Sequence, residues 1–220
     1  MTFGRLTHGF RLALGATALA TLLATSMAAH AGSYEDFFIG VQNDNASTVN
    51  GLLQRGFDPN TRDPKGNTGL ILAIRNQSPK VASALLGQKG VDIDALNTSG
   101  ESALMMAALK GDVAAVKLLL DRGARVNQPG WSALHYAATG PELKVITLLL
   151  EHGADINATS PNGTTPLMMA AQYGPMDGAG YFIEKGADVK RRNQKSLAAS
   201  DFAKLAGRDA LAASLEKLQN

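Results

Sequence analysis

No cysteine occurs in the 220 residues. Disulfides, thiolate catalysis and Cys-type zinc sites are therefore excluded. A lipid-modified N-terminus of the bacterial lipoprotein type is excluded too, because it needs a Cys at its cleavage point. Aromatic residues make up only 5% of the chain, which argues against a base-stacking surface. An excess of one charge is also missing. Arg5 and Arg11 account for the whole formal charge of +2, and residues 32–220 carry 19 basic and 19 acidic residues. Such a balance gives no electrostatic hold on nucleic acid or an anionic membrane. There is no Gly-x-Ser-x-Gly and no phosphate loop.

One apolar stretch stands apart. Residues 1–11 are a basic lead, Leu12–Ala28 is a run of Ala, Leu, Thr and Gly, and Ala29-His30-Ala31 is a small-x-small pattern. This order predicts a signal peptide at 1–31, cleaved after Ala31, with export to the bacterial periplasm. The rival reading is an uncleaved anchor holding a membrane-tethered scaffold; the Ala and Thr content makes it weakly hydrophobic for a stable span. No second run of spanning length follows.

The body repeats. QRGFDPN, QKGVDID, DRGARVN, EHGADIN and EKGADVK each contain a glycine ending a Leu-rich stretch. These are Gly56, Gly90, Gly123, Gly153 and Gly186, spaced by 34, 33, 30 and 33. The leucines that open the other helix of each unit are Leu70, Leu104, Leu134 and Leu167, spaced by 34, 30 and 33. Two independent markers slip by three residues at the same place. Within a unit the pattern has a physical reading. Ser102–Leu109 alternates small and large apolar residues at helical spacing, and its alanine pair lets helices approach closely. Gly111 breaks that helix, Asp112 can cap the next, and Val113, Val116 and Leu118–Leu120 form the next helix's apolar side. Pro79 and Pro141 fall at first turns, where a missing N–H costs nothing.

At these residues the chain resembles the ankyrin repeat family. Thr165-Pro166-Leu167 matches its helix opening, and Leu134-His135-Tyr136-Ala137-Ala138 its Leu-His-x-Ala-Ala. Gly153-Ala154-Asp155-Ile156-Asn157 and Gly186-Ala187-Asp188-Val189 match its exit. The resemblance implies an all-α repeat solenoid of about six helix-turn-helix units with short β-hairpin fingers. The units are placed at 34–60, 61–94, 95–127, 128–157, 158–190 and 191–220, in one domain over 32–220. The first and last are caps with polar outer faces. Gly69, Ile71 and Gln77 depart from the family pattern, and Met105 replaces a His. Gly178 and Gly180 predict a weak second helix in the fifth unit.

Few groups in residues 32–220 could do chemistry. His135 falls on the family's structural His position, and His152 sits at a helix C-terminus. Asp92, Asp94, Asp155 and Asp188 read as turn caps rather than a calcium site. Lys190, Arg191, Arg192 and Lys195 form a basic finger, either solvated or facing an acidic partner. No cofactor or metal is expected. The resemblance implies partner binding through finger tips and exposed first-helix faces. Carried over, those positions are Lys65, Asn67, Arg75 and Asn76; Ser99, Glu101, Leu109 and Lys110; Trp131 and Thr139; and Asn162, Thr164, Gln172 and Tyr173. Leu109, Trp131 and Tyr173 have the composition of an interface anchor, although Trp131 and Tyr173 can equally be packing residues.

The expected function is a non-enzymatic, monomeric module binding a protein partner, with no nucleic acid and no stable membrane insertion. A narrower form is an inhibitor or immunity protein against a toxin or enzyme. An enzyme or small-ligand protein centred on His135 is the alternative, and it needs that imidazole to reach solvent. Three linkers between units have seven residues, Thr61–Asn67, Ala95–Glu101 and Ala158–Thr164, but Gln128–Trp131 has four. A notch in the row of fingers is expected there.

Overall fold

The computed structural model describes residues 32–219, so the signal-peptide reading of 1–31 lies outside the described residues. Helices follow one another in pairs. They are α1 (residues 32–42) with α2 (Ala46–Gln54), α3 (Gly69–Arg75) with α4 (Pro79–Leu86), and α5 (Ala103–Lys110) with α6 (Val113–Asp121). Then come α7 (Ala133–Ala137) with α8 (Leu143–Glu151), α9 (Pro166–Tyr173) with α10 (Gly178–Glu184), and α11 (Ala199–Leu205) with α12 (Asp209–Gln219). The first helices of successive pairs stack directly, α3 on α5, α5 on α7, α7 on α9 and α9 on α11. Their alanines make this possible: Ala73, Ala103, Ala107, Ala108, Ala137, Ala138, Ala170 and Ala171 are all buried. One continuous apolar core runs from Phe37 to Leu215, as a stack in which each unit covers its neighbour requires.

The glycine markers have a common cause. Gly56, Gly90, Gly123, Gly153 and Gly186 all adopt φ between +81° and +88°, a left-handed conformation glycine takes at no steric cost. Four of them directly follow the C-cap of a second helix, whereas α4 already stops at Leu86 with Gly87 as its cap and Gly90 turns the chain three residues later. The polar exit that follows is a ladder. Asn127 Nδ2 donates to the Gly153 carbonyl (2.7 Å), and its Oδ1 accepts the Asp155 N–H (2.9 Å). Asn60 does the same to Gly90 and Asp92, and Asn157 accepts the Asp188 N–H. The aspartates close their own turns, Asp155 Oδ1 on Asn157 N–H and Asp188 Oδ1 on Lys190 N–H. Each unit's exit is thus bonded to the next.

Gly69 also has a structural reason. A Cβ there would lie 2.6 Å from Phe37 Cζ, so the first helix docks its buried ring where other units carry a side chain.

The fingers depart from expectation. Among the described residues there is no strand, only an isolated bridge between Arg62 and Thr68. Each finger is instead a five-residue loop closed by a polar side chain. Asn97 Oδ1 accepts the N–H groups of Ser99 and Glu101, Asp63 those of Lys65 and Asn67, and Asn193 those of Lys195 and Leu197. Ser160 Oγ accepts the Thr164 N–H. One backbone bond also crosses each loop, as from the Asp63 N–H to the Asn67 carbonyl, but the return N–H goes to the side-chain oxygen, so no β-hairpin develops. Pro141 is likewise displaced from the first helical turn: it precedes the N-cap of α8, Glu142.

Candidate functional site

The exposed side of the first helices is built from register. Leu72, Tyr136 and Met169 hold one equivalent position and are half-buried; Arg75, Leu109, Thr139, Gln172 and Leu205 hold another, three residues on. The first column comes from the variable position of each Leu-x-x-Ala core pattern, so its side chains sit at the edge of the core.

Two depressions lie along this side. One, of about 340 Å³, is lined by Tyr34, Phe38, Pro64, Leu72 and Asn76 among others. The other, of about 240 Å³, lies at the short linker and is lined by Leu109, Trp131, His135, Tyr136, Thr139 and Met169. Between them sits a polar node on Glu101. Its carboxylate accepts from Asn97 Nδ2 (2.8 Å) and Arg75 (3.3 Å), and Tyr136 Oη donates to it at 3.4 Å. Burial, with the Glu101 charge beside it, pushes the Tyr136 phenol up to about 12. A third depression, of about 340 Å³, opens where α4 and α6 part. Its walls are mostly small residues, and its one acid, Asp112, is committed to capping α6 through the Ala115 N–H.

His135 is fully buried. Its Nδ1 accepts from the Ser132 N–H (3.2 Å) and hydroxyl (2.9 Å), and its Nε2–H donates to the Thr164 carbonyl (2.9 Å). Loss of hydration holds its pKa below the ordinary 6.5. Both nitrogens are used and neither meets solvent, so the alternative centred on His135 loses its residue. Met105 and Met168 occupy the same place in their units, and their Sδ atoms accept the N–H of Ser102 and Thr165, each at 3.4 Å. Among the described residues no group of three or more His, Asp and Glu side chains could hold a metal ion. No helix among them is long and apolar enough to cross a membrane.

The candidate partner residues divide. Leu109, Trp131 and Thr139 converge in the central depression. Arg75 and Glu101 pair with each other. Lys65, Asn76, Ser99, Lys110, Asn162 and Tyr173 are exposed, and Gln172 is half-buried. Asn67 and Thr164 are corrections, since both are buried. Asn67 bonds to Asp63 Oδ2 and accepts from Asn97 Nδ2, while Thr164 presents its carbonyl to His135. Both close fingers rather than face a partner. Trp131 does two things. Its ring packs edge-on to His135 at 5.2 Å, and it walls the depression while remaining half-buried. The sequence reading missed Tyr136 and Met169; their large apolar type at the variable core position was the available signal.

The linker 128–131 has no closing Asn, Asp or Ser and forms a bend. The finger tips on either side are tied outward. Thr98 N–H and Oγ1 donate to the Lys65 carbonyl (3.1 and 2.8 Å), and Gln194 N–H donates to the Asn162 carbonyl (3.0 Å). Stacked helix pairs, glycine-ended turns and interlocked fingers meet the family model for ankyrin repeats, which matches residues 37–130 and 125–193. The chain belongs to the ankyrin repeat family. A putative ankyrin repeat-containing protein of Treponema pallidum (strain Nichols) is 35% identical over 94 residues, 42% of this chain and 31% of that protein. The NF-kappa-B inhibitor alpha of Sus scrofa is 35% identical over 81 residues, 34% of this chain and 26% of that one. This ankyrin chain therefore spans a third or less of the length of either relative. Among solved structures, a chain in the complex of the Bd0816 predatory endopeptidase from Bdellovibrio bacteriovorus with immunity protein Bd3460 is similar. It superposes with a TM-score of 0.71 and 28% identity, over 83% of this chain and 97% of that one.

Proposed function

We propose that this is an exported ankyrin stack of six units that binds a protein partner in the bacterial periplasm. In this reading residues 1–31 are removed, and the chain acts as a monomer without catalysis. The contact runs over the exposed first-helix side and the finger tips. The observation that carries the reading is the central depression. It gathers Leu109, Trp131, Tyr136 and Met169 on a preordered surface whose polar neighbours, Glu101 and Arg75, already satisfy each other. Large side chains held rigidly at a water-accessible surface are what interface anchors consist of, and a preordered stack loses little entropy on binding.

The narrower reading is an immunity or inhibitor role against an endopeptidase. It is supported by the likeness to a chain of the endopeptidase–immunity protein complex, which covers nearly all of that chain. Affinity capture from a periplasmic extract tests both. The protein is expected to retain one dominant partner, an endopeptidase in the narrower reading. Trp131→Ala, Tyr173→Ala and Lys110→Glu together are expected to abolish that capture. Retention by the triple variant would refute the first-helix surface, and an absence of any retained partner would refute the binding role.

A further inference from the structure

The notch and the last finger together describe the kind of segment that would lie on this surface. Trp131 and its neighbours form an apolar depression of about 240 Å³ with Leu109, 39% exposed, at its rim. No finger overhangs it, because the linker 128–131 lacks the closed five-residue loop, while the adjoining fingers are fixed. Fingers at 63–67 and 97–101 hold each other, and those at 160–164 and 193–197 hold each other. The opening is therefore bounded by braced posts.

Two units further on stands the most charged finger of the chain. Lys190, Arg191, Arg192 and Lys195 are all exposed. Arg192 Nη1 is fixed across the finger by the Ser196 carbonyl at 2.8 Å. Asp188 and Asp201 neighbour Arg191 and Arg192 at 3.5 and 3.9 Å, but both acids also accept backbone N–H groups, of Lys190 and Ala198. The finger so keeps a net positive face within a chain whose residues 32–220 are neutral overall. Between notch and finger lies the tip Pro161-Asn162-Gly163, uncharged and bonded to Gln194.

On the reading of this protein as a binding module, we infer that its partner contributes one extended, acidic segment. An apolar side chain of that segment enters the depression at Trp131, and a carboxylate cluster of the same segment lies on the 190–195 finger. Stacked helices are spaced by roughly 8–10 Å, so two units separate the subsites by about 20 Å. An extended strand rises about 3.3 Å per residue, which sets the anchor and the acids about six residues apart. The charge contact gives steering and register, and the buried side chain gives lifetime.

Trp131 is the only tryptophan, so its emission reports the apolar subsite directly. The probe is a synthetic peptide with one Leu and a Glu-Glu-Glu cluster six residues away in a Ser-Gly background, made in both chain orders. Controls replace Leu by Ser, replace the Glu cluster by Lys, or shorten the spacing to two. The expected result is a saturable change of Trp131 emission for one of the two orders. Each control should bind at least tenfold more weakly, and raised salt should weaken the parent peptide. Lys190→Glu with Lys195→Glu, both surface changes away from the core, should remove the advantage of Glu over Lys. Leu109→Asp should remove the advantage of Leu over Ser. No response to either order, or equal responses to the Glu and Lys peptides, overturns the inference. If peptides fail while the protein still captures a partner from extract, the binding role stands and this segment is wrong. If capture fails too, both are wrong.

Discussion

His135, Met105, Met168 and Asp201 hold one register position, three residues after the N-cap of a first helix. All four accept the N-cap N–H, through imidazole Nδ1, thioether Sδ in both methionines, or carboxylate Oδ2. The acceptor can be imidazole, thioether or carboxylate, Ile71 of α3 holds the same position with none, and His adds only the bond to Thr164. His135→Met is expected to cost about 1 kcal/mol, one hydrogen bond. His135→Ala should cost about 3 kcal/mol, because it leaves the buried Ser132 N–H unpaired and opens space. Urea unfolding of the two variants distinguishes these outcomes. The imidazole also sets a pH dependence. Burial lowers its pKa below 6.5 in the fold, so on acidification the unfolded chain takes up the proton first. Its contribution is present above about pH 6.5 and falls as pH drops below that value. His135→Met should flatten that part of a plot of stability against pH. Tyr136 behaves in the opposite sense. Raised from 10.0 to about 12, its phenol stays neutral in the fold while the unfolded chain ionises, so stability falls above about pH 10. Glu101→Gln should bring the Tyr136 titration down, as followed by phenolate absorbance.

Helices show how one substitution changes sign with packing. Gly180 in α10 is exposed, and a Cβ there meets nothing within 4 Å. Gly180→Ala should stabilise by about 1 kcal/mol, the helix-propensity difference. Gly69 in α3 is buried with Phe37 Cζ and Cε1 at 2.6 and 2.8 Å from the added atom. Gly69→Ala should destabilise instead, and adding Phe37→Leu should recover most of the loss. If both alanines raised the denaturation midpoint, the Phe37 contact would not be the reason for the glycine. The fingers make a related point. The seven-residue linkers that carry them were legible in the sequence, and so was the three-residue deficit at 128–131. That the return N–H of each goes to an Asn, Asp or Ser side chain, leaving a single backbone bond across the loop, was not legible. The choice depends on where one side-chain oxygen lies relative to two N–H groups.

Across the whole molecule, stacking is carried by nearest neighbours. First helices touch through alanines, and exits are bonded by Asn60, Asn127 and Asn157. Among the described residues the notch interrupts the row of fingers, so restoring a finger there should change binding and spare the fold. Replacing Gln128–Trp131 by the seven residues Ala95–Glu101 is expected to leave helical circular dichroism unchanged and to abolish partner capture. Capture by this variant would separate the notch from function. Of the surface residues chosen by register, Leu109, Trp131 and Thr139 meet in one depression, whereas Asn67 and Thr164 are inside the finger bases. Position in the repeat gave the side of the stack, but not the depth of each side chain. Depth depends on the neighbouring unit, through Asn97 for Asn67 and His135 for Thr164.

What the residues alone determined is everything local and periodic: the helix pairs, the glycine turn that follows each one, the register between units and the missing finger. These follow from φ angles, helical spacing and capping chemistry, which act within a few residues. What only the tertiary structure decided is everything that takes two units to make. The Phe37 ring over Gly69, the Arg75–Glu101–Tyr136 node, the burial of His135 and the depression beside Trp131 all join groups roughly thirty residues apart. Their existence depends on how closely neighbouring backbones approach, and that distance is set by the whole alanine-lined stack.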